Sequence, residues 1–110
     1  MKTVFPLLLL ALVTAACSDS SGPGTQDIEV ADNTFSPGAF ATTVGSTVTW
    51  GWTGAAPHNV TWVGADAPAA SPTQTTGTYQ RTFADAGTYE YYCTVHGTPT
   101  AGMRGTVTVP

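Results

Sequence analysis

From Ile28 to the C-terminus, no stretch of the chain carries the apolar spacing of a helix. Glycine and proline, 12 and 8 in the whole chain, punctuate it every few residues, and β-branched residues are frequent between them. In the run Thr47-Val-Thr-Trp-Gly-Trp52, Val48, Trp50 and Trp52 share one face while Thr49 and Gly51 occupy the other. Tyr79 and Phe83 alternate with Gln80 and Thr82 in the same way, and Thr106-Val-Thr-Val109 ends the chain as a further short strand. Several short strands separated by turn signals predict an all-β chain folded as a two-sheet sandwich. The stretch Gly64 to Gly77 holds two prolines and no large apolar residue, so it is expected as a surface excursion between sheets that carries no chemistry.

The first residues read as an export leader rather than as fold. Lys2 supplies a charge, Phe5 to Val13 an apolar run too brief to span a bilayer, and Thr14-Ala-Ala-Cys17 small residues before a cysteine. Cys17 sits as in the lipobox of bacterial lipoproteins. That predicts a signal peptide over residues 1–16, lipidation at Cys17 and anchorage to a bacterial membrane, with the domain facing the periplasm or the cell exterior. An ordinary cleaved leader with an incidental cysteine is the simpler alternative. Residues 17–26 lack apolar side chains able to order them and read as a tether. One small domain, residues 27–110, remains, near the lower end of what a single core stabilises unaided.

With Cys17 lipidated, Cys93 has no disulfide partner although the chain is exported. A lone thiol in an oxidising compartment fits metal ligation, reactive-thiol chemistry or an inert core position. Its neighbours favour the first. Cys93 and His96 are three residues apart in Tyr91-Tyr-Cys-Thr-Val-His96, so one turn brings sulfur and ring nitrogen together; Met103 follows in the same segment. The other histidine, His58, opens the strand-like run Pro57 to Val63, in phase with Val60 and Trp62, while Cys93 is in phase with Tyr89 and Tyr91. Inward-facing strands would bring both ligands to one end of the sandwich, where the loops Gly54 to His58 and Thr94 to Met103 gather. Two imidazoles, a thiolate and a weak thioether are the donors of a mononuclear blue-copper centre.

Several motifs in order carry a family resemblance: Asn33-Thr-Phe-Ser-Pro37, Val44-Gly-Ser-Thr-Val-Thr-Trp50, His58-Asn-Val60, Asp85-Ala-Gly-Thr-Tyr-Glu-Tyr-Tyr-Cys93 and Gly102-Met-Arg-Gly-Thr-Val107. The chain resembles the small blue copper proteins, or cupredoxins, most closely the plastocyanin and amicyanin branch. The resemblance implies a Greek-key β-sandwich with one type 1 copper ion. Its equatorial ligands would be His58, Cys93 and His96, its axial ligand Met103, and Asn59 would tie the first ligand segment to Thr94. Val95 stands where plastocyanins usually have proline, and the spacing from His96 to Met103 is longer than theirs.

The implied role is electron transfer between redox partners outside the cytoplasm, not catalysis, because both histidines of the chain are used and none remains for a second copper centre. Without Lys2, Arg81 and Arg104 face seven acidic residues, which suits a basic partner such as a c-type cytochrome, or a membrane oxidoreductase, and disfavours nucleic acid. A monomer touching the membrane only through its lipid is expected. Two other classes stay open. One is copper delivery or storage, which favours exposed Met and His clusters. The other is an immunoglobulin-like binding module, suggested by Asp85-x-Gly87-x-Tyr89 before Cys93 but requiring a disulfide partner for Cys93.

Overall fold

A computed structural model describes residues 26–64 and 67–110. The leader, Cys17 and all of the tether but Gln26 lie outside the described residues. Eight strands follow in order: β1 (Ile28–Ala31), β2 (Thr34–Ser36), β3 (Ala39–Ala41), β4 (Thr47–Trp52), β5 (Thr61–Trp62), β6 (Thr78–Thr82), β7 (Gly87–Thr98) and β8 (Ala101–Val109). They form two four-stranded sheets, ordered β2-β1-β4-β6 and β3-β8-β7-β5, and the chain passes repeatedly from one to the other. The fold is thus an all-β sandwich, as the alternation predicts, and of the Greek-key type that the resemblance implies. The pairs β1 with β4 and β3 with β8 are parallel, which such crossings allow.

The inner faces meet in one aromatic-rich core. Ile28, Val30, Val48 and Trp50 come from the first sheet, and Trp62, Tyr91, Cys93, Val107 and Val109 from the second. Trp50 stands edge-on to Tyr91 and Trp62, with ring centroids 5.5 and 5.6 Å away. Such pairs add about 0.5–1.5 kcal/mol each beyond the area they bury. Tyr91 fits because its cross-strand partner is Gly105: a Cβ there would lie 2.8 Å from Tyr91 Cε2 and closer still to Cζ. The second face of β4 is covered too. Gln80 Nε2 donates to Thr49 Oγ1 at 3.0 Å, and the Gln26 side chain lies over Gly51.

The immunoglobulin-like motif has a local explanation. The Tyr89 hydroxyl donates to the Asp85 carbonyl at 2.7 Å, a tyrosine corner that fixes the entry to β7 without a disulfide.

The hairpin of β7 and β8 differs from the expected open loop. Cross-strand pairing runs to Tyr92 opposite Arg104 and resumes at Gly97 opposite Gly102, so the four residues Cys93 to His96 face Met103 alone. Two glycines allow the strands to close again. A Cβ on Gly97 would lie 2.7 Å from both Met103 N and O, and Gly102 adopts φ 83° against the His96 carbonyl. The Thr98 hydroxyl then accepts the Ala101 N–H at 3.1 Å and shapes the tip at Pro99–Thr100.

Candidate metal centre

The bulge aims Cys93 into the sandwich, where it is fully buried, and turns His96 toward the same point while leaving it partly exposed. His58 reaches that point from the other side. It precedes β5 and is not part of a continuous strand; a single β-bridge to Gln74 holds it, with His58 N to Gln74 O and Gln74 N to His58 O both 3.0 Å. The Trp52 indole N–H donates to the His58 carbonyl at 3.0 Å. The His58 ring is completely buried.

Three donors converge. Cys93 Sγ lies 3.8 Å from His58 Nδ1 and 3.9 Å from His96 Nδ1, and the two Nδ1 atoms are 3.0 Å apart. A circle through them has a radius of about 2.1 Å, within the ~2.0–2.3 Å of metal bonds to imidazole nitrogen and thiolate sulfur. The triangle is therefore of a size that lets one first-row ion bond all three donors. One soft thiolate and two imidazoles are the donor set of trigonal copper sites. Met103, also expected here, is buried in β8 opposite the bulge.

Asn59, buried, links the segments that carry His58 and Cys93. Its Nδ2 donates to Thr94 Oγ1 at 2.8 Å and to Thr73 Oγ1 at 2.9 Å; its Oδ1 accepts the Thr94 N–H at 3.1 Å and the Thr61 hydroxyl at 2.9 Å. The stretch expected to be idle contributes as well. Ser71, buried, accepts the Val60 N–H at 2.8 Å, and Thr73 and Gln74 hold Asn59 and His58.

Asp32 is the residue that sequence reasoning missed. It sits in the two-residue turn between β1 and β2, and its Oδ1 lies 3.0 Å from His58 Nε2. The same carboxylate accepts the N–H groups of Ala56 at 2.9 Å and Ala55 at 3.0 Å. Those bonds, the Ala56 N–H first and then the His58 ring and the Ala55 N–H, hold its carboxyl well below the usual range, at about 2. Gly54 lets the two segments touch, since a Cβ there would lie 2.7 Å from Asp32 N. An Asp-Asn pair has an ordinary reason to occupy a turn, so nothing in the sequence marks it as a partner of His58.

Around the exposed edge of His96, Val95 is 49% exposed, and Ala55, Pro57, Pro99 and Ala101 are also exposed.

Residues 24–110 match the family model of copper binding proteins, plastocyanin/azurin family. Plastocyanin A/B of Petroselinum crispum is 34% identical over 85 residues, which span 68% of this chain and 86% of that protein. Amicyanin of Paracoccus denitrificans is 43% identical over 70 residues, 60% of this chain and 50% of the relative. Among solved structures, a purple cupredoxin from Nitrosopumilus maritimus superposes with a TM-score of 0.59 at 32% identity, covering 69% of this chain and 81% of its own. A reduced amicyanin variant gives 0.67 at 33% identity, covering 83% and 94%. The convergent donors and this match over most of the described residues lead to one conclusion: the chain belongs to the plastocyanin/azurin family of copper-binding proteins, and it is a blue copper electron-transfer protein whose cofactor is one copper ion.

Proposed function

We propose that His58 Nδ1, Cys93 Sγ and His96 Nδ1 are the equatorial copper ligands, that Met103 is the weak axial ligand, and that electrons cross at the exposed edge of His96. The observation that carries this reading is the donor triangle, whose dimensions suit a metal of bond length about 2.1 Å. Bound there, copper supplies a one-electron couple between Cu(II) and Cu(I). The protein's part is to hold the donors still. His58 is fixed through backbone and ring, Cys93 lies in the core, and Asn59 joins their segments, so the donor positions need not change with the metal's charge. The aromatic core beside Cys93 keeps water from reorganising on that side.

The reading makes the chain a carrier and not a catalyst, since both histidines lie in this one cluster. Its partners would be other redox proteins, docking briefly on the small apolar rim as low-area redox contacts do. The formal charge of −4 supports a basic partner such as a c-type cytochrome. Export, lipidation at Cys17 and a periplasmic or extracellular domain complete the proposal, carried by the Lys2 to Cys17 pattern. Incorporation of labelled fatty acid that is lost in Cys17→Ser tests the anchor.

The central test is the visible spectrum of the purified protein with Cu(II), before and after ascorbate. An intense blue band, bleached by reduction, restored by oxidation and missing in Cys93→Ser, is the expected result. Blue colour that survives Cys93→Ser would refute the ligand set, and copper bound without colour would point to delivery or storage.

A further inference from the structure

We infer that Asp32 is a positioning residue for His58: its carboxylate holds the proton of that ring on Nε2, turns Nδ1 to the metal and biases the centre toward the oxidised ion. The inference deepens the copper reading and rests on it for its redox part, while the part concerning the proton stands on the protein alone.

A neutral imidazole has one N–H and one bare nitrogen, so whatever occupies one nitrogen decides the role of the other. In His58 the two are unambiguous. Nε2 faces Asp32 Oδ1 at 3.0 Å, and an ionised carboxylate only accepts. Nδ1 faces Cys93 Sγ and His96 Nδ1. Because the ring is buried, water does not compete for Nε2.

Asp32 cannot swing away. Its two oxygens receive the Ala55 N–H at 3.0 and 3.1 Å, and Oδ1 also takes the Ala56 N–H. The carboxylate is thereby clamped to the segment that delivers His58, two residues after Ala56. One side chain from the β1–β2 turn fixes both the path of that segment and the tautomer of its ligand. Among the described residues His96 has no equivalent: its ring bonds there run through Nδ1, to Cys93 and His58. The centre is therefore asymmetric, with a carboxylate-backed buried imidazole on one side and a partly exposed imidazole on the other.

Two consequences follow. Without metal, His58 Nδ1 accepts at 3.0 Å, so His96 must donate from Nδ1 and carries the opposite tautomer. With metal, a carboxylate behind a ligating imidazole raises ligand basicity and favours the more positive ion; removing such a partner typically weakens metal affinity about 10–100-fold. Asp32 is 47% exposed, so solvent screens its charge and the lower end applies. A tenfold fall in the preference for Cu(II) over Cu(I) is a rise of about 59 mV in reduction potential for one electron.

The experiment compares the full-length wild type with Asp32→Asn, Asp32→Ala and Asp27→Asn. The last removes a carboxylate that accepts the Thr49 N–H beyond the far end of β1, five residues or about 16 Å of extended chain away, so it controls for net charge. Imidazole 15N spectra of the metal-free wild type should show His58 protonated on Nε2 and His96 on Nδ1. In Asp32→Ala, the His58 proton should lose that preference, and affinity for redox-silent Zn(II) should fall about tenfold. Asp32→Asn keeps an acceptor oxygen without the charge, so it should retain the tautomer while its copper potential rises by about 59 mV. Asp27→Asn should shift the potential by less than a third as much. A wild-type His58 protonated on Nδ1, unchanged Zn(II) affinity in Asp32→Ala, or equal shifts in Asp32→Asn and Asp27→Asn would overturn the inference. Failure of the copper reading would appear separately, as a wild type without a blue band, and the proton and zinc measurements would still decide the role of Asp32.

Discussion

Asn59→Ala should uncouple the two ligand segments, and its cost follows from counting what the side chain does. Asn59 makes four hydrogen bonds, to the Thr73, Thr94 and Thr61 hydroxyls and to the Thr94 N–H, from a site only 4% exposed. Each such bond contributes about 0.5–1.5 kcal/mol net. Thr94 is exposed and Thr61 partly so, and water can replace some of what they lose. The expected loss is therefore about 2–4 kcal/mol. For a domain this small, 1 kcal/mol moves Tm by about 4–8 °C, so the transition should fall by roughly 8–32 °C. The assay is urea and thermal unfolding of the metal-free protein, because bound copper adds stability by mass action and would mask the change. Thr94→Ala removes one of the four bonds and keeps the backbone one. It should cost about 1 kcal/mol, and the double-mutant cycle should return a coupling of similar size. An Asn59→Ala protein within 0.5 kcal/mol of wild type, or no coupling to Thr94→Ala, would refute the view that this side chain joins the segments.

Met103→Gln should keep copper bound and lower the reduction potential, since the axial ligand tunes it; an unchanged potential would remove Met103 from the centre. Gly105→Ala drives a methyl group into the Tyr91 ring, which Trp50, Trp62 and Phe35 hold in place, and should destabilise by about 1–3 kcal/mol in urea titrations.

The sheets and half of the site were legible because successive strand side chains alternate between faces, although Thr49, Gly51 and Asn59 on the opposite faces are buried too. Val48, Trp50 and Trp52, and likewise His58, Val60 and Trp62, are all buried, and Cys93 follows Tyr91 into the core as parity required. The donors were legible for a different reason: the chain has two histidines and one cysteine beyond Cys17, and their order matches one family. What stayed hidden depends on contacts between distant residues whose types have local explanations. Asp32 lies 26 residues from His58 in a turn that favours aspartate anyway. Ser71, Thr73 and Gln74 look like solvated loop residues, and only their return to the edge of the His58 segment makes them supports. The closing of β7 on β8 was hidden because four residues face one across the bulge, and alternation cannot count through such a mismatch.

That mismatch also explains how one hairpin serves two opposed needs. A thiolate ligand should be dry and immobile, while an electron must leave through something a partner can touch. In regular pairing, Cys93 and His96, an odd number of residues apart, would point to opposite faces. The bulge removes the constraint: Cys93 stays in the core, and three residues later His96 turns back to within 3.9 Å of its sulfur with its edge toward solvent. Gly97 and Gly102 then restore the pairing, so His96 is anchored on both sides by β-structure and not carried on a free loop. Lengthening the tip at Pro99–Thr100 should therefore change docking more than it changes the donor triangle. Replacing Gly97 should do the reverse, because a Cβ there meets the Met103 backbone at 2.7 Å, and Gly97 directly follows His96.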